Sequence, residues 1–171
     1  MMANKKNRWS KHNTGFTLLE VLFAVVLIGL AVASLVATSG AFTMKNGAGV
    51  DLSTGEFLIE EIRELTAPLP VIDPETGVDT FGAEGGESAV ADFDDVDDFD
   101  TQSFSPPVDL NGTSLAAFSA FTQQITVENV SATNLDQVVG DHTSDFIRVT
   151  VTILKNGRQI SSASWIRARL N

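Results

Sequence analysis

A single apolar run near the start of the chain limits what it can fold into more than any other feature. From Phe16 to Met44 the sequence has 29 positions with one charged residue, Glu20, and Lys45 ends the run. As an α-helix this run would be about 44 Å long, which exceeds the ~30 Å hydrocarbon core of a bilayer. The sequence therefore predicts a transmembrane helix over residues 16–44.

The charges on the two sides of this run differ in sign. Residues 1–15 carry four basic side chains and no acid, whereas the rest of the chain carries 7 basic and 22 acidic residues. The positive-inside rule then places the N-terminus in the cytoplasm and the residues beyond Lys45 on the other side of the membrane. The acidic balance excludes a phosphate-collecting surface, so we expect no nucleic-acid partner. Cysteine is absent, which excludes disulfides and thiolate metal sites.

The run is too long for an ordinary secretory signal, and it lacks a clean small-residue cleavage site after it. An uncleaved anchor would explain its composition but not Glu20. A carboxylate near the bilayer centre costs about 2.5–3.5 kcal/mol on insertion scales, and such residues are functional candidates by default. Glu20 is therefore the first candidate functional residue of the chain.

The residues around this acid carry a resemblance. Positions 15–22 read GFTLLEVL, which resembles the N-terminal signature of type IV pilins and of the pseudopilins of type II secretion systems. The resemblance implies that residues 1–15 are a basic leader and that a prepilin peptidase cuts between Gly15 and Phe16. It also implies that Phe16 is then N-methylated and that Glu20 is the acid at the fifth mature position, which acts in assembly.

Charge chemistry supports this assignment. Cleavage leaves a positive amine at Phe16, and methylation to a secondary amine keeps that charge. In a filament, the amine of one subunit can lie beside Glu20 of a neighbour and convert a costly acid into an ion pair.

We therefore predict a minor pilin or pseudopilin, a structural subunit of a type IV pilus or a type II secretion pseudopilus. The absence of a C-terminal cysteine pair, which many major pilins have, favours these two classes. The expected partners are prepilin peptidase, other pilins or pseudopilins, and the inner membrane. The alternative is a single-pass anchored extracytoplasmic binding module, with or without a calcium requirement, that does not polymerise.

The helical pattern continues beyond the apolar run. Residues 45–66 are amphipathic, with Leu58, Ile62 and Leu65 at helical spacing. Glycines at positions 47 and 49 weaken the helix and allow a loose joint, and the prolines at 68 and 70 end it. We expect the second half of one long helix to lie on a small folded domain.

Residues 121–171 have the alternation of antiparallel β-strands. One face of a first strand holds Phe121, Gln123, Ile125 and Val127. Asn156-Gly157 between two further apolar segments predicts a hairpin with a type I′ turn. Together with the helix, these strands predict an α+β, pilin-like fold.

A two-residue turn also predicts the register of this hairpin. The expected pairs on the helix-facing side are Ile153 with Ile160, Val151 with Ser162, Val149 with Ser164, and Ile147 with Ile166. The small Ser162 and Ser164 would leave room for the helix to approach. On the open face Arg148 lies opposite Trp165, either as a cation–π pair or as ordinary cross-strand packing.

Residues 67–120 lack a regular pattern and are rich in turn formers and acids. Positions 92–100 hold six Asp, with an apolar residue at every third position. One interpretation is a hard-cation site, because Ca²⁺ takes six to eight oxygen ligands and occurs in several pseudopilins; its candidate ligands are Asp94, Asp95, Asp97 and Asp98. The spacing does not match an EF-hand loop. The other interpretation is a solvated loop held by Phe93 and Phe99, with no cofactor.

A catalytic function is not predicted. His142 lies beside Ser144 and Asp145 in a polar turn between two strands. The members of a catalytic triad converge from separate parts of a fold, so neighbours in one turn do not form one.

Overall fold

The computed structural model describes residues 15–73 and 80–169. The chain divides into two compact units, residues 1–46 and 47–171. One helix, α1 (Leu18–Thr66), begins in the first unit and ends in the second. Gly47 and Gly49, where the sequence allows a loose joint, both have helical backbone.

The part of α1 in the first unit leaves its apolar side chains exposed. Every described residue up to Val50 is exposed, and the most apolar 18-residue window of α1 has a mean hydropathy of 2.7 with none of it buried. By length and composition α1 can cross a membrane. Four of its hydroxyls are satisfied locally, because each donates a hydrogen bond to the carbonyl four residues earlier, at 2.8–3.1 Å; these belong to Ser34, Thr38, Ser39 and Thr43.

The second unit packs the end of α1 on an antiparallel sheet. The strands are β1 (Ser103–Phe104), β2 (Phe121–Ser131), β3 (Asn134–Val138), β4 (Phe146–Lys155) and β5 (Arg158–Ala168), and short 3₁₀-helices lie at Asp97–Phe99 and Ala116–Phe118. The strand order is β1-β2-β4-β5, and β3 pairs with β2. A long apolar N-terminal helix followed by a small antiparallel sheet confirms the predicted α+β fold class.

The core lies between one face of α1 and alternate residues of β2 and β4. Leu58, Ile59 and Ile62 of the helix are at most 3% exposed. The predicted inward face of β2 is confirmed, since its four residues from Phe121 to Val127 are all buried. On β4 the inward residues are Ile147, Val149, Val151 and Ile153, each at most 1% exposed.

The β4–β5 hairpin departs from the predicted register after two pairs. Lys155–Arg158 and Leu154–Gln159 pair as a two-residue turn requires, but a bulge then brings Ile153 opposite Ser161. The predicted pairs beyond the turn are therefore wrong, and Val151, Val149 and Ile147 face Ala163, Trp165 and Arg167. One extra residue exchanges the two faces of a strand, so Ile166 is 37% exposed.

The bulge also changes which small residues let the helix approach the sheet. A Cβ built on Gly55 would lie 3.2 Å from the Cβ of Ser161. The close approach therefore depends on Gly55 and Ser161, and the prediction that Ser162 and Ser164 leave this room is wrong.

The predicted pairing of Arg148 with Trp165 is wrong for the same reason. Arg148 donates to the Glu128 carboxylate of β2 at 2.8 Å. Trp165 is on the other face of the sheet, where the guanidinium carbon of Arg63 lies 4.8 Å from its ring centroid. A cation–π contact thus joins helix and sheet at a different pair of residues.

Two polar side chains tie α1 to the rest of this unit. Gln123 is fully buried and donates to the carbonyls of Leu58 at 2.9 Å and Val108 at 3.1 Å, while its Oε1 accepts from the Val108 amide at 2.7 Å. Arg167 donates to the carbonyls of Thr66 and Leu69, both at 2.7 Å. Arg167 therefore binds the last carbonyl of α1 and a carbonyl of the turn that follows the helix.

Candidate functional sites at the helix start and in the acidic loop

Helix α1 begins directly after the predicted cleavage point. Gly15, Phe16 and Thr17 are non-helical and exposed, and Leu18 is the first helical residue. The Thr17 hydroxyl accepts a hydrogen bond from the Glu20 amide at 3.2 Å, which is an N-cap interaction. The Gly15–Phe16 bond therefore lies outside the helix and open to solvent, as cleavage by a peptidase requires.

Glu20 lies in the first turn of α1 and is exposed. Among the described residues, no Lys or Arg forms an ion pair with it. Its position near the helix N-terminus gives modest support from the helix dipole.

Comparison with known proteins identifies the residues around the predicted cleavage point and the start of α1. Residues 10–36 match the family model described as the prokaryotic N-terminal methylation motif. This motif is the signature of type IV pilins and pseudopilins, so the resemblance of the N-terminal residues to that class is confirmed. No curated protein and no solved structure matches the chain significantly.

The acidic loop, residues 80–102, packs on the sheet. Val96 and Phe99 are fully buried in the core, and the rings of Phe93 and Phe99 meet edge to face at 5.0 Å. Asp100 accepts a hydrogen bond from the Val127 amide of β2 at 2.8 Å. The prediction that Phe93 and Phe99 hold this loop is confirmed.

Three acids of this loop turn inward with those apolar residues. Asp95, Asp97 and Asp98 are 1%, 1% and 0% exposed. The interpretation as a solvated loop is therefore wrong for these three side chains. Backbone amides bind all three: Asp95 Oδ1 accepts from the amides of Asp97 and Asp98, Asp98 Oδ2 from those of Asp94 and Asp95, and Asp97 Oδ1 from that of Gly82.

These acids form part of a larger group, the carboxylate cluster, made of Glu84, Glu87, Asp95, Asp97 and Asp98. Asp95, Asp97 and Asp98 offer carboxylate oxygens within 4.8 Å of one another, and so do Glu84, Glu87 and Asp98. Asp98 is common to both groups. Of the four predicted ligands three come together, whereas Asp94 is in neither group.

Sequence reasoning missed Glu84 and Glu87. Eleven positions separate Glu87 from Asp98, and no regular element between them predicts their contact. The one local signal is the glycine pair at positions 85 and 86, which allows a tight turn. In the folded chain the backbone amide of Glu84 donates to Glu87 Oε2 at 2.8 Å, which holds the Glu87 side chain beside residue 84.

The electrostatics of this cluster are unfavourable for full ionisation. Burial raises the pKa of Asp95 and Asp98 to about 7 and that of Asp97 to about 6, and neighbouring carboxylates add to the effect. Burial and Glu87 raise the pKa of Glu84 to about 7. A carboxyl whose pKa is raised in the folded state favours folding in its protonated form and disfavours it once ionised. Protons held by the cluster near pH 7 and below therefore stabilise the folded domain.

His142, Ser144 and Asp145 do not form a catalytic arrangement in the described structure. The His142 ring packs against Phe81 with centroids 5.5 Å apart, and the Ser144 hydroxyl accepts from the Phe146 amide at 3.2 Å. The Asp145 carbonyl accepts from the Arg169 amide at 2.8 Å. These contacts build the turn before β4.

Proposed function

We propose that this chain is a minor pilin or pseudopilin, a structural subunit that prepilin peptidase cuts between Gly15 and Phe16 and then N-methylates at Phe16. One observation carries the proposal. The match to the methylation motif over residues 10–36 coincides with an exposed, non-helical Gly15–Phe16 bond directly before α1. Sequence motif and local geometry thus point to the same peptide bond.

The apolar part of α1 supports anchoring in the membrane before assembly. Its side chains are exposed, and its hydroxyls are bonded within the helix. A helix of this kind presents no unsatisfied backbone or hydroxyl group to lipid. We propose a single pass through the inner membrane, with the basic residues 1–15 in the cytoplasm and the domain in the periplasm.

The same surface supports assembly into a filament. Residues 18–46 bury no apolar side chain within the described chain, so identical or related helices can pack against them. In such a packing the Phe16 amine of one subunit would pair with Glu20 of another, which removes the cost of an isolated acid in an apolar interior. Other pilins or pseudopilins are therefore the proposed partners.

Processing is tested by intact-mass analysis of the full chain produced with and without a prepilin peptidase. With the peptidase, the mass should decrease by that of residues 1–15 and increase by one methyl group. Gly15→Val should retain the leader, because a bulky residue then lies at the scissile bond. The matched control is Gly29→Val, the same change at another glycine with nothing within 4 Å of an added Cβ, and it should be processed normally.

A wild-type chain that keeps residues 1–15 in the presence of active peptidase would contradict the proposal. A chain that is processed but never copurifies with pili or pseudopili would favour the anchored binding module. Recovery in sheared pili would assign the chain to a pilus. Loss of protein secretion on deletion would assign it to a secretion system.

A further inference from the structure

Asp98 is the most unusual buried residue of the acidic loop. Its side chain is fully buried. Oδ2 accepts two backbone amides, but Oδ1 is inaccessible and has no hydrogen-bond partner in the described structure. A buried carboxylate oxygen without a partner costs free energy, because it has left water and gained nothing in return.

A second unpartnered oxygen belongs to the same group. Glu84 Oε1 is inaccessible and lacks a hydrogen-bond partner among the described residues. Glu84, Glu87 and Asp98 offer carboxylate oxygens that all lie within 4.8 Å of one another. The ion pairs of the described residues involve none of these three acids. Two orphaned oxygens therefore belong to one small group of acids that no ion pair of the described residues neutralises.

The size and chemistry of this group match one kind of ligand. Carboxylate oxygens are ligands for hard cations, and Ca²⁺ binds oxygen at about 2.3–2.6 Å. Oxygens that lie within 4.8 Å of one another can therefore all contact one such ion. Mg²⁺ binds at about 2.0–2.1 Å in a strict octahedron and keeps its water more strongly, so it fits a cluster of protein carboxylates less well.

We propose that Glu84, Glu87 and Asp98 bind one Ca²⁺ ion, with Asp95 and Asp97 beside it as further negative charge. Water completes the coordination shell. The ion neutralises acids from two ends of the acidic loop, residues 84–87 and 95–98, and so holds this loop closed against the sheet.

The test is equilibrium dialysis of the full chain in nonionic detergent, stripped with a chelator and titrated with radioactive Ca²⁺ at constant ionic strength. We expect one ion per chain, bound with a Kd at or below the ~1 mM typical of extracellular calcium modules. Asp98→Asn should weaken binding about tenfold or more. Asp92→Asn removes one charge from the same acidic run, but its side chain is exposed and outside the cluster; its Kd should be unchanged.

Glu84→Gln is the second variant, because Asp98 also accepts two backbone amides and its replacement can unfold the loop. Glu84 is partly exposed and its Oε1 has no partner to lose, so Glu84→Gln should fold and should also bind Ca²⁺ about tenfold more weakly or worse. Absence of stoichiometric binding at about 1 mM Ca²⁺ would overturn the proposal. So would equal weakening by Asp92→Asn, which would show diffuse attraction to the acidic surface instead of a site.

Discussion

The exposed segment of α1 in residues 18–46 and the folded domain of residues 47–169 each hold acids in surroundings that disfavour charge. Glu20 lies in an apolar helix segment whose side chains are all exposed. Asp98 lies in a loop where it is fully buried. In the helix segment the acid is accessible to a large partner, whereas in the domain only a proton or a small ion can reach it.

The helix segment and the domain therefore leave different groups without a partner. Within the domain, the inward apolar side chains of α1, β2 and β4 form a covered core, and most buried polar groups of the described residues are paired inside the chain. The helix segment covers no apolar side chain within the described chain. A charge that the fold leaves exposed on an apolar surface points to assembly with another protein, and a charge that the fold buries points to a small ligand.

The largest effect is expected from Glu20→Ala. The substitution should leave membrane insertion equal or better, because a costly acid has been removed from the span. Incorporation into pili or pseudopili should decrease at least about tenfold, since the proposed ion pair between subunits is lost. Immunoblots of membrane and sheared-filament fractions measure both quantities.

Glu56→Ala is the control for this experiment, because Glu56 is an exposed acid of the same helix within the domain. It should enter filaments normally. Incorporation of Glu20→Ala at the wild-type level would contradict the proposed ion pair. The exposed acid of the helix segment would then need no protein partner.

A smaller but clear loss is expected from Gln123→Leu in the domain. The change removes three buried hydrogen bonds and leaves the Val108 amide without its acceptor. Unsatisfied buried groups of this kind cost about 1–3 kcal/mol each, and we expect the free energy of unfolding to decrease by about 2–3 kcal/mol. Urea unfolding of residues 47–171, followed by the fluorescence of Trp165, measures this.

Its neighbour provides the control. Gln124 is exposed on the opposite face of β2, so Gln124→Leu should change the free energy of unfolding by less than about 0.5 kcal/mol. Equal effects of the two substitutions would mean that the domain does not depend on buried polar pairing.

The smallest effect is expected from Arg167→Met. The variant keeps much of the aliphatic packing of the side chain but loses two hydrogen bonds to the end of α1. A decrease in the free energy of unfolding of about 1–2 kcal/mol should follow. Arg169→Met, at an exposed side chain nearby, should be neutral in the same urea experiment. An effect of Arg169→Met as large as that of Arg167→Met would show that net charge, and not the helix end, is responsible.

The predictable parts of the fold are those where apolar residues recur with a clear period. The helix face at Leu58 and Ile62, and the alternating residues of β2 and β4, followed directly from such patterns. The inward face of strand β5 could not be predicted in this way. Its residues 160–164 read ISSAS, and small side chains with weak hydrophobic contrast do not indicate which face is inward. Trp165 and Ile166 are adjacent and both apolar, so either register would bury one of them.

The candidate sites differ in the same way. The N-terminal motif is a continuous stretch, and its residues could be named from the sequence. The carboxylate cluster combines residues 84–87 with residues 95–98, and its geometry depends on how an irregular loop folds back. Composition indicated the acids of the second segment, but only the three-dimensional structure adds Glu84 and Glu87 and excludes Asp94 from the group.

The contacts that close the domain also set the order in which it can form. Arg167 meets Thr66 and Leu69 across 101 and 98 positions of sequence, and Lys155 meets Asp51 across 104. Helical turns form from neighbouring residues in less than a microsecond or so, whereas contacts between distant segments wait for a large loop to close. During synthesis, α1 is therefore complete long before β5 exists. Until about a hundred further residues have been made, the face with Leu58 and Ile62 remains uncovered and prone to aggregation.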